Sequence, residues 1–429
     1  MRTTEEKTRS CPECGAAVRT DTRFVTWCRA CDWNVDPDPG PEQKEQDRLH
    51  SARRALARRH GEKLLAEVTA GGTLRARRDA SSLFAHALAL VVHGVTVALA
   101  LGGIWCLVRG WGGLGMVLGA FLLATAWTLR PRVAKLGDTA PVLLREDAPE
   151  LYALIDEIAE VVGTRGVDRI TIEAEVNAGV LEFGLRGRRA LRLGLPLWEM
   201  LTPQQKVALL GHELGHYSNG DTRHRFVVAT AYRSLTTWYY YVAPTPHPDA
   251  VELFVNLFFA VPRLFLRGVL FLLDHLMLRA GQRAEYLADR AAARAGSTEA
   301  AVELMDRLLV TNSIEVLLRS EGNKAAVTGR RGIRAAEAGA EAIWERLGAY
   351  AASVPEDEYE RRRRAGARRG HSVDSTHPPT HLRRECLLTG PPVPAAVTMD
   401  TGRERRVTAE LAAARTTLAR TIVRQGYDG

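Results

Sequence analysis

Between Leu83 and Val108 the chain reads "LFAHALALVVHGVTVALALGGIWCLV", without a single Asp, Glu, Lys or Arg. Arg109-Gly110 interrupts it, and "WGGLGMVLGAFLLATAWTL", Trp111 to Leu129, is again uncharged. A helix that crosses a bilayer needs about 20 such residues, so residues 83–130 read as a transmembrane helical hairpin rather than a buried soluble one. Trp105, Trp111 and Trp127 near the run ends suit the interfacial belt. Gly115 and Gly119 form a GxxxG pair that would let two helices approach closely. His86 and His93 are expected to face the partner helix. Arg75, Arg77 and Arg78 precede the hairpin, Arg130, Arg132 and Lys135 follow it, and the connecting turn carries only Arg109. The positive-inside rule then puts both flanks in the cytoplasm.

With 429 residues there is room for two or three domains, and the net charge of +8 comes mostly from arginine clusters, which favour anionic lipid or nucleic acid. Four of the six cysteines lie in "CPECG" and "WCRACDW": Cys11, Cys14, Cys28 and Cys31. Two CxxC knuckles across a short loop have the spacing of a four-thiolate zinc ribbon. The first forty residues are polar, with no cleavable secretory signal, so a reducing compartment and a structural zinc ion are expected over residues 1–40. Trp27 and Trp33 read as the ribbon's own small core rather than a base-stacking platform. Nucleic acid is therefore not the favoured partner, and the sequence names no other for the ribbon. A Pro-rich linker and a basic helix fill residues 41–82.

The stretch "LTPQQKVALLGHELGHYSNGD" reads as a helix. Thr202 is the N-cap, Pro203 stands at the first helical position, Gln205 completes a capping box and Asn219-Gly220 marks the stop. On this helix His212 and His216 are one turn apart on one face, with Glu213 beside them. This HExxH arrangement offers two zinc ligands and a carboxylate that can take a proton from water. Upstream, "EDAPELYALIDEIAEVVG" is an amphipathic helix, and "VDRITIEAEV" and "RRALRLGL" alternate like strands, with Arg186-Gly187 as a turn. An edge strand in that small sheet could pair with an extended peptide. Downstream, "GQRAEYLADRAAARAG" is another helix, carrying Glu285 and Asp289 one turn apart.

Together these motifs resemble the HtpX-like and CAAX-prenyl-protease family of integral-membrane zinc metallopeptidases. "HELGHYSNGD" and "RAEYLAD" look like its HExxH and ExxxD segments. "STHPPTHLRRECL" is similar to its late His-Pro-Pro segment, and "EVNAGV" to the Asn-Ala of its edge strand. The resemblance covers roughly Val142 to Leu388 and leaves out the ribbon. It implies a mainly helical α+β, membrane-anchored gluzincin-type metallopeptidase over 131–429, with the small sheet beside the HExxH helix. It makes His212, His216 and Glu285 the catalytic zinc ligands, Glu213 the general base, and Asp289 the carboxylate that orients a ligand histidine. It places Asn177 on the substrate strand, and His377 and Arg383 near the oxyanion. Further candidate membrane segments lie at 226–243 and 251–278, interrupted by Arg233 and by Pro262, Arg263, Arg267 and Asp274. Residues 322–370, with "RRRRAGARR", match nothing in the family and read as a solvated charged insertion.

The implied function is a multi-pass membrane endopeptidase with cytoplasmic ribbon and catalytic domain. It would act on proteins or peptides in or near the lipid bilayer, with quality control as its role. Processing of lipid-modified C-termini and a non-catalytic, membrane-tethered ribbon protein are the alternatives. The third is disfavoured because no ligand and no base is missing.

Overall fold

A computed structural model describes residues 7–37, 48–70, 80–110, 113–131, 136–137, 140–184, 186–218, 222–327, 340–369 and 378–427. The fold is mainly helical with two small sheets. A hairpin of β1 (Lys7–Ser10) and β2 (Ala17–Thr20) opens it, followed by α1 (Arg48–Thr69), α2 (Ala80–Arg109) and α3 (Leu114–Thr128). Next come β3 (Val142–Leu143), α4 (Pro149–Val162), β4 (Arg169–Glu173), β5 (Ala178–Phe183), β6 (Arg188–Gly194), α5 (Leu195–Glu199) and α6 (Pro203–Ser218). The remainder is helical: α7 (Thr222–Tyr241), α8 (Ala250–Phe258), α9 (Ala260–Gly296), α10 (Thr298–Leu308) and α11 (Thr311–Val327). Then follow α12 (Ala342–Ser353), α13 (Glu356–Arg369), α14 (Thr380–Leu388), α15 (Thr401–Glu410) and α16 (Ala412–Gln425).

The second sheet has strand order β3-β4-β6-β5, with β4 and β6 parallel and the other pairs antiparallel. The turn between β5 and β6 holds Gly184 and Gly187 at φ +68° and +58°, a region that side chains other than glycine rarely adopt. Leu151, Leu154, Ile155 and Ile158 repeat at helical spacing and bury one face of α4 in a core shared with Ile170, Ile172, Leu191 and Leu193 of the sheet. Pro149 starts α4, and Gly163 ends it in the left-handed conformation. The Glu410 carboxylate of α15 accepts hydrogen bonds from the Glu150 and Leu151 backbone N–H groups, using donors that a helix start leaves unpaired.

The expected apolar hairpin is present as α2 and α3, packed at glycines. A Cβ added at Gly119 would lie 2.8 Å from the Gly103 carbonyl, and one at Gly115 would lie 2.8 Å from the Gly110 Cα. Its second arm differs from expectation. Although the uncharged run extends from Trp111 to Leu129, α3 has 15 residues, short of the roughly 20 a crossing needs. Gly113 and Gly115 at its start favour close packing over helix extension. Among the described residues, α2 is the one unbroken helix long and apolar enough to cross a membrane. The pair α8 and Ala260–Leu278 passes only when taken together, bent by 48°. That break falls at Phe259, just ahead of Pro262, whose missing N–H is harmless in a first helical turn. His93 faces α7 rather than its hairpin partner: its Nε2 lies 3.2 Å from both the Val227 carbonyl and Thr230 Oγ1. The hairpin's flanking Arg75, Arg77, Arg78, Arg132 and Lys135 lie outside the described residues.

The arginine-rich stretch is not a solvated insertion. It forms α13, which binds the ribbon. Arg364 donates to Asp32 Oδ1 and to the Arg29 carbonyl at 2.7 and 2.8 Å, Arg361 to the Val35 carbonyl at 2.9 Å, and Arg368 to Asp32 Oδ2 at 2.7 Å. Arg361 and Arg362 share Glu358, while Arg363 reaches Asp306 of α10 and Glu356. Trp27 belongs to this contact and not to the ribbon's own core. It is 2% exposed, with its indole N–H on Asp357 and the Arg364 guanidinium over its ring. Trp33 packs with Cys11, Val18 and Cys28 inside the ribbon, as expected.

The four thiols suit a zinc ion. Their sulfurs all lie within 4.8 Å of one another, with Cys11–Cys31 at 3.6 Å and Cys14–Cys28 at 3.5 Å. Zn–S bonds of about 2.3 Å put tetrahedral sulfurs roughly 3.8 Å apart. Backbone N–H groups of Cys31 and Ala30 hold the Cys28 thiol down to about 7, toward the thiolate a metal requires. So small a unit would depend on a bound metal for its folding. Cys28→Ser is therefore expected to lose the ribbon metal and release α13, seen as faster hydrogen exchange over residues 356–369 with the other metal site retained. Unchanged exchange there would separate the docking from the metal.

Candidate active site

The capping box expected at α6 forms. Thr202 Oγ1 accepts from the Gln205 N–H at 3.4 Å, and Gln205 Oε1 accepts from the Thr202 N–H at 3.1 Å. The helix ends at Ser218, and the expected stop, Asn219-Gly220, lies outside the described residues. What brings α6 to α9 is a pair of glycines set against alanines. A Cβ on Gly211 would lie 2.8 Å from the Ala295 Cβ. One on Gly215 would lie 2.8 Å from the Ala291 Cβ and 3.0 Å from the Ala288 Cα. The sequence carries that signal in Gly211 and Gly215, four apart, against Ala288, Ala291, Ala292 and Ala295, but it is not one of the metal-ligand motifs. Gly215→Ala should force the helices apart, lowering stability by about 1–3 kcal/mol in thermal unfolding and reducing metal retention. Full stability would show that the helices have slack.

At this crossing the two histidine rings lie edge to face, centroids 4.9 Å apart and planes at 88°. His212 Nε2 is 3.5 Å from Glu285 Oε2, and His216 Nε2 is 3.6 Å from Glu285 Oε1. These spacings are long for hydrogen bonds and match the edges of a tetrahedron around zinc, roughly 3.4 Å for bonds of 2.0–2.1 Å. One donor atom from each of the three residues lies within 4.8 Å of the others, so the set fits a metal ion. On the far side of the ring, His212 Nδ1 is 3.0 Å from Asp289 Oδ1. Asp289 is thus placed where a carboxylate fixes the tautomer of a ligand histidine.

Arg383, expected near the oxyanion, stands beside the ligand set, its Nη2 3.7 Å from Glu285 Oε2. It is 2% exposed on the inner face of α14, and its Nε and Nη2 donate to the two Asp289 oxygens at 2.9 and 2.6 Å. Its guanidinium therefore backs the histidine–carboxylate pair instead of facing an open cleft. Burial would raise the Asp289 carboxyl, but the Arg383 guanidinium overrides it and holds it down to about 2. Burial likewise opposes charge on His212, while the Asp289 and Glu285 carboxylates favour it. Glu213, Glu285 and Asp289 against one arginine leave the cluster negative, which favours a cation among its ligands. The α14 helix is held from behind by α1: Leu64, Leu65 and Val68 pack on Tyr286, Leu382 and Cys386. His377 lies outside the described residues.

Glu213, His216 and Glu285 line a cavity of ≈ 340 Å³ whose opposite side is the edge strand β5, from Ala178 to Glu182. Among the described residues β5 pairs with β6 alone, and it offers its other edge to the cavity. Asn177 precedes it. Its carbonyl accepts from the Gly194 N–H at 2.9 Å, and its side-chain Oδ1 accepts from the Ala178 N–H at 2.9 Å, fixing the entry to the strand. An extended chain thus has a strand edge to lie along and a carboxylate with two imidazoles beside it.

No curated protein and no solved structure matches the chain. One family model does: that of peptidase family M48, over residues 147–389. This interval runs from the start of α4 to the end of α14, includes strands β4, β5 and β6, the HExxH helix and the glutamate and arginine that meet it, and exceeds half the chain. On that match, and with the motifs in their expected order, the chain belongs to peptidase family M48.

Proposed function

We propose that the chain is a membrane-anchored, zinc-dependent endopeptidase that hydrolyses peptide bonds in membrane or membrane-proximal proteins, with quality control as its role. The observation that carries this reading is the cavity, where Glu213, His216 and Glu285 face an unpaired strand edge. His212, His216 and Glu285 would hold the catalytic zinc ion and the four ribbon cysteines a structural one. When bound, the catalytic ion supplies Lewis acidity to the scissile carbonyl and to water.

The protein's own groups do the rest. The edge of β5 holds the substrate backbone extended. Glu213 takes the proton of the attacking water and delivers it to the leaving amine. Asp289, clamped by Arg383, keeps the His212 Nδ1–H donated away from the metal side, so that Nε2 is the free ligand atom. Burial of this ion pair keeps the ring from turning.

Anchoring in lipid is supported by the side chains that α2, α3, α8 and the first half of α9 leave uncovered. They include Phe84, Trp105, Leu114, Phe121, Phe254, Phe258, Leu264 and Phe265. Large apolar side chains left exposed in this number suit contact with a membrane or a partner. Reporter fusions ahead of Leu83 and at Gly429 are expected to read cytoplasmic. An external signal at the first would overturn the orientation, and one at the second alone would require an odd number of later crossings. The catalytic reading is tested by a metal chelator, which should stop cleavage of casein by the purified full chain, with zinc restoring it. Cleavage that survives metal removal would refute it.

A further inference from the structure

The cavity is closed by one face of α7, where Phe226, Ala229, Thr230 and Arg233 recur at the spacing that stacks side chains along a helix. Arg233 is the sole cation among the described lining residues. It is part-buried, α7 contains no acidic residue, and its guanidinium has no hydrogen bond or ion pair among the described residues. Three carboxylates line the same cavity. Glu285 stands with the histidines, Glu213 is next to them on α6, and the charge of Glu182 bears on Arg189 and Tyr217, while burial alone acts on Arg233. An arginine in a mostly apolar, aromatic helix without a counter-charge is unfavourable unless something else supplies the charge, and such residues mark substrate paths. The planar guanidinium fork matches a carboxylate in two parallel hydrogen bonds.

We infer that Arg233 receives a carboxylate of the substrate, so that the cleft selects peptides carrying an acidic side chain or a free C-terminus at one subsite. This rests on the peptidase reading of the same cavity. A peptide lying along β5 advances about 3.3 Å per residue with alternate side chains on opposite faces. Only one position in the register therefore presents its side chain to Arg233, and the selection is local to that position.

The test uses the full chain in detergent and extended fluorogenic peptides in which one Glu, or its isostere Gln, is moved position by position. Each peptide is made with a free C-terminus and as the amide. Wild type should prefer Glu over Gln at one position by about 10- to 100-fold in kcat/KM, the range of a charge-assisted hydrogen-bonded pair. A preference of that size confined to the acid over the amide would identify the chain end as the source of the carboxylate. Arg233→Gln should bring the ratio to about 1 by removing the charge. Arg233→Lys, which keeps a point charge, should retain its direction, and Arg233→Glu should reverse it toward Lys-bearing peptides. The same ratios, read as peptide binding to Glu213→Gln with and without Arg233→Gln, do not depend on turnover. If wild type cleaves nothing, the hydrolase reading fails while the binding ratios still decide this inference. Equal treatment of acidic and neutral peptides at every position and at both kinds of chain end, or a ratio unchanged in Arg233→Gln, overturns it.

Discussion

Glu213→Gln is expected to abolish peptide hydrolysis while the protein keeps its fold and its zinc. The carboxylate is 6% exposed, follows His212 on α6 and lines the cavity beside His216. The amide fills the same volume and can still accept a hydrogen bond, but it cannot take a proton. Removing a general base from such a site lowers turnover by about 10²- to 10⁴-fold. Because Glu213 is not among the proposed ligands, metal content should stay at the wild-type value. Zinc analysis and cleavage assays on one preparation check both halves. Metal loss in this variant would place Glu213 among the ligands and leave the base unassigned.

Arg383→Ala is expected to be the most destabilising single substitution near the site. Asp289 and Arg383 are 1% and 2% exposed, and the guanidinium spans both carboxylate oxygens. Deleting it leaves a buried carboxylate without its partner, a loss of about 3–5 kcal/mol. The His212 ring then loses its fixed orientation, and zinc affinity should fall by about 10- to 100-fold. Arg383→Lys keeps the charge but not the fork, so its effect should be intermediate. Denaturant unfolding together with zinc competition measures the two effects. If Arg383→Ala left stability unchanged and only slowed turnover, the residue would belong at the oxyanion after all.

Much of this site was legible in the sequence because its signals are local. The capping box at Thr202 and Gln205, the one-turn spacing of His212 and His216, and that of Glu285 and Asp289 all lie within single helices. That the two helices share one site came through the family resemblance, although Gly211 and Gly215 facing an alanine stripe are its physical cause. The partners of Arg383 were not legible, for a different reason. Its distance from His377 along the chain says nothing about which face of α14 turns inward, and that face is set by Leu382 and Cys386 packing on α1 and α9. The arginine run was read as solvated because its partners are remote in sequence: Asp32, Arg29 and Val35 lie more than 300 residues away. Charge density shows that a helix needs partners, and only the fold shows which. The shortness of α3 is similar, since an uncharged run gives the length of apolar sequence and not where a glycine-rich start lets the helix begin.

Whether His212, His216 and Glu285 hold a catalytic zinc ion is decided by zinc stoichiometry paired with casein cleavage in wild type and Glu285→Ala. Two zinc ions are expected per wild-type chain and one in Glu285→Ala, with cleavage lost alongside the second ion because two imidazoles alone hold zinc poorly. A Glu285→Ala chain that keeps both ions and full activity would contradict it.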